Sequence, residues 1–372
     1  MALYVHWPYC ARICPYCDFN VALDRRAGEA AALGEAILAD LTAQAATAGP
    51  RRLVSIFLGG GTPSLADPAF IARLVEQAGA LWPAEPNLEI TLEANPTDAE
   101  AARFEAFAQA GVTRLSLGLQ ALDDPSLKFL GRNHDAEEAR RAAVLAAKIF
   151  PRLSLDLIYA LPGQTAAGWT DTLNAALKLG PEHLSPYQLT IEPGTAFDRA
   201  VQRKTFAPAD PDLAAELYDV TQAVLSNAGF QAYEVSNHAR GAAARSRHNL
   251  AYWRGEDYLG IGPGAHGRIT QDGARQATRA FAPIPAYIAA VREAGDGLEE
   301  RETLNPVERA EERLLMGLRI VEGVSLAELQ PLKLEKLSDL QEAGLIRAQD
   351  GRLFATPEGR LVLDRVIAEL AA

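Results

Sequence analysis

The stretch MALYVHWPYCARICPYC, residues 1–17, decides how the rest of the chain is read. Residues 3–6 form a short apolar run of strand character, and Cys10, Cys14 and Cys17 follow with the spacing C-x3-C-x2-C. These are the chain's three cysteines. A disulfide scaffold would spread an even number along the chain. Burial as small hydrophobes is the bland alternative. Three within eight residues, interleaved with Pro8, Tyr9, Arg12 and Pro15, argue against it. Cys14-Pro15-Tyr16-Cys17 alone has the form of a redox dithiol, but that chemistry leaves Cys10 without a task. Zinc with His6 as fourth ligand has poor spacing support. An iron–sulfur cubane uses thiolate ligands and has four irons, so three cysteines leave one iron open to an outside ligand.

Outward from this loop, short apolar runs alternate with helical patterns. Strands are expected over 3–6, 53–58, 88–93, 114–118, 153–158 and 183–189. Helices are expected over 28–47, 68–81, 97–111, 136–149, 165–179 and 212–228, with Thr97 and Glu100 as a capping box. Six strand–helix repeats imply a parallel sheet, open or curled into part of a barrel. Such sheets place ligands at the carboxyl ends of their strands. Polar and glycine-rich residues collect there: the cysteine loop, Gly59-Gly60-Gly61-Thr62-Pro63, Glu93, Gln120 and Asp156.

After about residue 230 the rhythm breaks. Residues 230–237 alternate like an antiparallel strand. His248-Asn249-Leu250-Ala251-Tyr252-Trp253 and a glycine-rich run, residues 260–267, follow. From about 301 the chain is helical and ends on a small hairpin turning at Asp350-Gly351, the outline of a winged helix. This tail carries 10 basic and 13 acidic residues, and the whole chain a net charge of −12. Both exclude a phosphate-backbone binder, so no nucleic-acid partner is expected.

No apolar run is long enough to span a bilayer. The start has no basic n-region and no leader-like stretch. A cytoplasmic protein that is not integral to a membrane is expected.

The C-x3-C-x2-C motif after a first β-strand resembles the signature of the radical S-adenosylmethionine (SAM) family. The resemblance implies an α/β fold: a partial (βα)6 TIM-like radical SAM barrel with a C-terminal β extension and a small helical, winged-helix-like domain. The expected units are 1–230, 231–300 and 301–372. It implies a 4Fe–4S cluster on Cys10, Cys14 and Cys17, with SAM on the open iron. Gly59, Gly60, Gly61 and Thr62 match the family's glycine segment that meets the SAM amino group. Tyr4, Tyr16, Glu93, Gln120, Arg132 and Asp156 match its further SAM contacts in order.

The closer resemblance, over nearly the whole chain, is to the branch of oxygen-independent coproporphyrinogen III oxidases and HemW-type haem chaperones. The oxidases carry a long N-terminal arm and a further cysteine two positions after the last cluster ligand. Here the chain starts three residues before Tyr4, and that position is Phe19. His248-Asn249-Leu250-Ala251-Tyr252-Trp253 matches the chaperones' H-N-x-x-Y-W motif. A His can ligate haem iron and aromatics can stack on a macrocycle, which makes His248 the expected haem contact, ahead of His266 and His238. The resemblance implies haem as cargo and haem-accepting proteins, such as respiratory enzymes, as partners. Transient contact with membrane acceptors and a homodimer are further expectations. The competing expectation is the oxidase reaction, radical oxidative decarboxylation of propionates.

Overall fold

A computed structural model describes residues 1–23 and 28–371 of the chain. Its centre is six parallel strands hydrogen-bonded in chain order. They are β1 (Ala2–Trp7), β2 (Leu53–Gly60), β3 (Ala84–Ala94), β4 (Arg114–Gln120), β5 (Arg152–Tyr159) and β6 (His183–Gln188). The expected βα alternation is present. α1 (Glu29–Ala48), α2 (Pro68–Leu81), α3 (Phe104–Gln109), α4 (Ala136–Ile149) and α5 (Ala166–Leu177) separate the strands. Apart from α1, which starts at Gly28 without a side-chain cap, the longer of these helices start where side-chain caps satisfy the first free N–H groups. Asp67, Asp135 and Thr165 do this for α2, α4 and α5.

The strands divide their residues by the two-residue period of a pleated sheet. Leu3, Val5, Ile56, Leu58, Leu92, Leu115, Leu117, Leu153 and Leu155 are buried in the main hydrophobic core with the helices. The alternate positions carry polar groups. Lateral pairing runs Tyr4–Phe57–Thr91–Arg114, then Glu93–Ser116–Ser154–His183, so these side chains share the opposite, inner face. The sheet curls about this face. Arg152 of β5 reaches Glu89 of β3 at 2.6 Å, and Arg114 of β4 reaches His183 of β6 at 3.3 Å, each over an intervening strand.

Beyond α6 (Pro211–Asn227) the structure departs from the sequence expectation. Residues 230–237 do not form one strand. β7 (Gln231–Ala232) pairs with β8 (His238–Ala239), which pairs antiparallel with β6. Between them Glu234 folds back to accept the Ser236 N–H at 2.9 Å, so a turn stands where the alternating sequence suggested a strand. The short helix α7 (Arg247–Trp253) then leads to the opposite edge. There β9 (Tyr258–Ile261) pairs parallel with β1, a seventh parallel strand the sequence did not suggest. Three antiparallel strands complete the twelve-stranded sheet: β10 (His266–Gln271), β11 (Ala274–Ala280) and β12 (Leu298–Thr303). Residues 231–300 thus extend one sheet at both edges.

The capping box at Thr97 is also half-formed. Thr97 Oγ1 accepts the Glu100 N–H at 3.2 Å, but the Glu100 carboxylate accepts from Asn95 N and Ser64 Oγ instead. The C-terminal segment has its own core of Leu314, Leu318, Val324, Leu329, Ile346, Leu353, Val366 and Leu370. It contains the expected small hairpin, Ile346–Gln349 with Arg352–Ala355, joined at Asp350-Gly351, both with positive φ as a tight hairpin turn needs.

Candidate functional site

The cysteine loop begins where β1 ends, at the carboxyl edge of the sheet. A two-residue ladder of Tyr9-Cys10 with Ala22-Leu23 closes it, and the Cys17 N–H bonds the Cys14 carbonyl at 3.1 Å. Neighbouring strand ends hold it. Gly61 N donates to the Trp7 carbonyl and Thr62 N to the Tyr9 carbonyl, both at 2.8 Å. Phe197 N donates to the Pro15 carbonyl at 2.9 Å. All three thiols are free and half-buried. Burial pushes the Cys10 thiol up to about 11 against a Thr62 hydrogen bond that lowers it, so Cys10 becomes a thiolate only against a bound cation.

The donor set decides between the metal alternatives. His6 Nδ1 bonds the Tyr4 hydroxyl at 2.9 Å and Nε2 the Asn20 carbonyl at 2.8 Å, so neither nitrogen is free for zinc. Among the described residues, no three His, Cys, Asp or Glu groups converge on one ion. A cubane asks for something else, one thiolate per iron, and a loop of three separate free thiols fits that demand.

The glycine run after β2 is shaped by close approach. Gly60 has φ +109°, and a Cβ there would lie 2.4 Å from the His6 ring. A Cβ on Gly61 would lie 2.6 Å from the Pro8 carbonyl oxygen. The Gly60 N–H donates to Glu93 Oε2 at 3.1 Å. With the Gly60, Gly61 and Thr62 N–H groups all spent on protein, this segment can offer a ligand only carbonyls, which suit an amino group.

Glu93 and Asp156 line the inner face below this segment. Burial raises the Glu93 carboxyl to about 8, and the neighbouring Asp156 charge adds to it. Asp156 accepts from Ser116 Oγ at 3.0 Å and Ser154 Oγ at 3.3 Å, and burial raises it too. Arg114 is the cation acting on both. Such an acid-rich mouth suits a cationic ligand, as a sulfonium is. Gln120 ends β4 at φ +65° and Ala160 follows β5 at φ +60°, both in the left-handed region that costs a non-glycine residue energy. Tyr4 lies on the same face.

Arg132 belongs to the cysteine loop more than to the open mouth. One terminal nitrogen, Nη1, donates to Cys14 Sγ and Tyr16 Oη, both at 3.4 Å. The other, Nη2, donates to the Gly118 carbonyl at 3.0 Å and to Asn95 Oδ1. Only Nε is left without a partner. Asn95 also donates to Thr62 Oγ1 at 3.1 Å, which donates to Cys10 Sγ at 3.5 Å. Two thiols are thereby tied to one polar chain through β3 and β4. Thr62, Tyr16 and Arg132 were legible in the sequence; Asn95 was not, and Glu100 was read there only as a capping residue.

The structure takes His248 far from an open ligand surface. α7 lies at the amino ends of the strands, where it closes the barrel floor. Glu89, near the start of β3, accepts from the His248 N–H and the Arg247 N–H at 3.0 Å each and from Ser246 Oγ at 3.4 Å. Its charge is met by Arg152 and Arg114. The His248 ring is 2% exposed, stacks on Phe57 with centroids 4.8 Å apart, and bonds Ser55 Oγ through Nδ1 at 3.0 Å. Burial lowers its pKa to about 3, so it is neutral. Haem contact at this imidazole requires α7 to leave the barrel. His238 is also shut in, bonded to the Ser236 carbonyl and Gln222. Glu89, Arg114, Arg152 and His183 form this floor and were missed in the sequence. The signal was present: Glu89, Thr91 and Glu93 keep the inward two-residue period.

A curled parallel sheet with a three-cysteine loop at its carboxyl edge defines a radical SAM protein. The radical SAM superfamily model matches residues 4–176, and the HemN C-terminal domain model matches residues 304–362. The haem chaperone HemW of Bacillus subtilis is 35% identical over 98% of this chain and 97% of its own. HemW of Escherichia coli is 41% identical over 73% and 70%. The mitochondrial radical S-adenosyl methionine domain-containing protein 1 of Bos taurus is 40% identical over 99% of this chain and 87% of its own. The chain belongs to the radical SAM superfamily and, within it, to the HemW group. The crystallised coproporphyrinogen III oxidase HemN of Escherichia coli superposes with TM-score 0.83 over 100% of this chain and 90% of its own. At 23% identity that likeness speaks for the fold alone. Among the described residues no helix is long and apolar enough to cross a membrane.

Proposed function

We propose that this protein is a haem chaperone that binds haem and passes it to acceptor proteins such as respiratory enzymes. The observation that carries this is the match to the Bacillus subtilis haem chaperone HemW along 97% of that chain. Phe19, 64% exposed where the oxidases have a cysteine, agrees with it. In this reading Cys10, Cys14 and Cys17 hold a 4Fe–4S cluster. Tyr4, the segment 59–62, Glu93, Gln120 and Asp156 receive SAM, and Tyr16 and Arg132 brace the loop beneath. When bound, cluster and SAM supply one-electron chemistry. The protein's share is to position SAM and exclude water.

The working location is the cytoplasm, with transient contact to membrane-bound acceptors and no nucleic-acid partner. The working units are residues 1–230, 231–300 and 301–372, and a homodimer is the working assembly.

The test is anaerobic reconstitution of the full chain followed by haem titration. A saturable Soret shift is expected, and no protoporphyrinogen should form from coproporphyrinogen III with SAM and reductant. Absence of any Soret change overturns the chaperone reading, and protoporphyrinogen formation replaces it with the oxidase.

A further inference from the structure

The chain has six histidines. Five are closed to solvent: His6 and His134 are 6% exposed, His238 and His248 2%, and His183 0%. His183, like His6, spends both ring nitrogens, on Ser154 at 2.8 Å and on Tyr233 at 2.8 Å. His266, at the start of β10, is exposed. Its ring makes no hydrogen bond among the described residues.

The location matters as much as the exposure. β9 runs parallel to β1, and β10 turns back from its carboxyl end, so His266 stands at the end of the sheet that carries the cysteine loop. Gly264, two residues before it, packs on Asn20, which follows the cysteines. The Asn20 amide spans to the Pro263 and Ala282 carbonyls at 3.0 and 2.9 Å. A Cβ on Gly260 would lie 1.9 Å from the His266 carbonyl oxygen, so this glycine lets β10 cross close over β9 and sets where His266 stands.

Tyr258 pairs with Arg268, and His266 lies two residues from Arg268 on the same strand. His266 therefore shares the inner face with Tyr258, which touches Tyr252 of α7 at a centroid distance of 4.2 Å. Across the ladder His266 faces Arg279, whose partners Glu299 and Glu300 are themselves exposed. Exposed ion pairs are weak, so Arg279 can exchange them for the carboxylate of a ligand at little cost. The side chain beside them on β11 is the small Ala277, opposite Arg268.

We infer that His266 is the axial ligand through which this protein takes up haem, with Arg279 meeting a haem propionate. This rests on the haem-chaperone reading and names its site. The imidazole is suited to iron, because partial desolvation against the sheet and the nearby Arg268 and Arg279 charges lower its pKa and favour the neutral ring. Tyr187, 42% exposed, is the rival oxygen ligand, but its phenol pKa is raised by local desolvation, with the Asp156 and Glu234 charges beside it adding to the cost of a phenolate. The arrangement places cargo and cluster at one end of the sheet, with the family's H-N-x-x-Y-W helix as the floor between strands rather than as the iron ligand.

The experiment titrates haem into the reconstituted full chain as wild type, His266→Ala, Arg279→Ala and His248→Ala. His266→Ala should weaken binding at least about tenfold and abolish the wild-type Soret and low-spin signature, and added imidazole should restore that signature. Arg279→Ala should weaken binding and leave the Soret position unchanged. His248→Ala should keep the Soret position. His266→Ala with wild-type affinity and spectrum, or loss of the signature in His248→Ala alone, overturns the assignment while leaving the chaperone reading intact. A wild type that binds no haem overturns both. His266 is exposed, so its variant is expected to fold, and circular dichroism checks it.

Discussion

Replacing Glu89 by Gln tests the barrel floor directly. The Glu89 side chain is fully buried, with Arg152 Nη1 2.6 Å away and Arg114 close enough to act on its charge. It also accepts three hydrogen bonds from the first residues of α7, from Ser246, Arg247 and His248. Gln keeps the shape but removes the charge and brings two N–H donors where the site needs acceptors. Breaking a buried ion pair by neutralising one partner costs about 3–5 kcal/mol, because the remaining charge is left uncompensated. Arg152 retains Glu182 at 2.7 Å, which places the expected loss near the lower end, about 3–4 kcal/mol. Denaturant unfolding should show a lower midpoint at unchanged slope. Glu182→Gln is the control. Its side chain is 32% exposed, and the loss should stay under about 1 kcal/mol.

The pH dependence has a definite sign. Burial raises the Glu89 carboxyl, but Arg114, Arg152 and the two backbone N–H groups together pull it below its ordinary value. A depressed folded pKa stabilises above the unfolded pKa, about 4.3, and that stability is lost as pH falls through the folded value. The gap between wild type and Glu89→Gln should therefore be full near neutrality and close below pH ~4. Hydrogen exchange should show the His248 amide losing protection in the variant. A loss under about 1 kcal/mol, or equal losses for Glu89 and Glu182, would refute the reasoning.

Four further outcomes are expected. Cys14→Ala should lose the visible absorbance of the reconstituted cluster with unchanged far-ultraviolet circular dichroism, because the thiol is half-buried and free. Gly61→Ala, whose Cβ would meet the Pro8 carbonyl at 2.6 Å, should cost about 1–3 kcal/mol and lower iron incorporation. Gly79→Ala, inside α2 with nothing within 4 Å, should instead gain up to about 1 kcal/mol in thermal or denaturant unfolding. Glu93→Gln addresses the raised carboxyl. A folded pKa of about 8 means the wild type's contribution is full below the unfolded value and is lost as pH rises toward 8. The wild type should thus fall relative to the variant over that window, by at most about 1.4 kcal/mol per pH unit in SAM-free protein.

Local chemistry made much of this protein legible in its sequence. The cysteine spacing, the strand–helix alternation and the polar residues at strand ends depend on neighbours within a few residues. They led to the parallel sheet, the loop and the inward positions of Glu93 and Asp156. Even the tail hairpin was visible in one dipeptide, Asp350-Gly351. The tertiary structure decided whatever depends on residues far apart. Residues 231–300 split between two edges of one sheet because α7 passes beneath it and returns the chain to β1. The same crossing buries His248 on Glu89, 159 residues away in the chain, and leaves His266 exposed. Both histidines sit beside aromatic or glycine residues in the sequence, and nothing local separates them. What distinguishes them is which one a closed barrel floor covers, a property of the packed sheet and not of either motif.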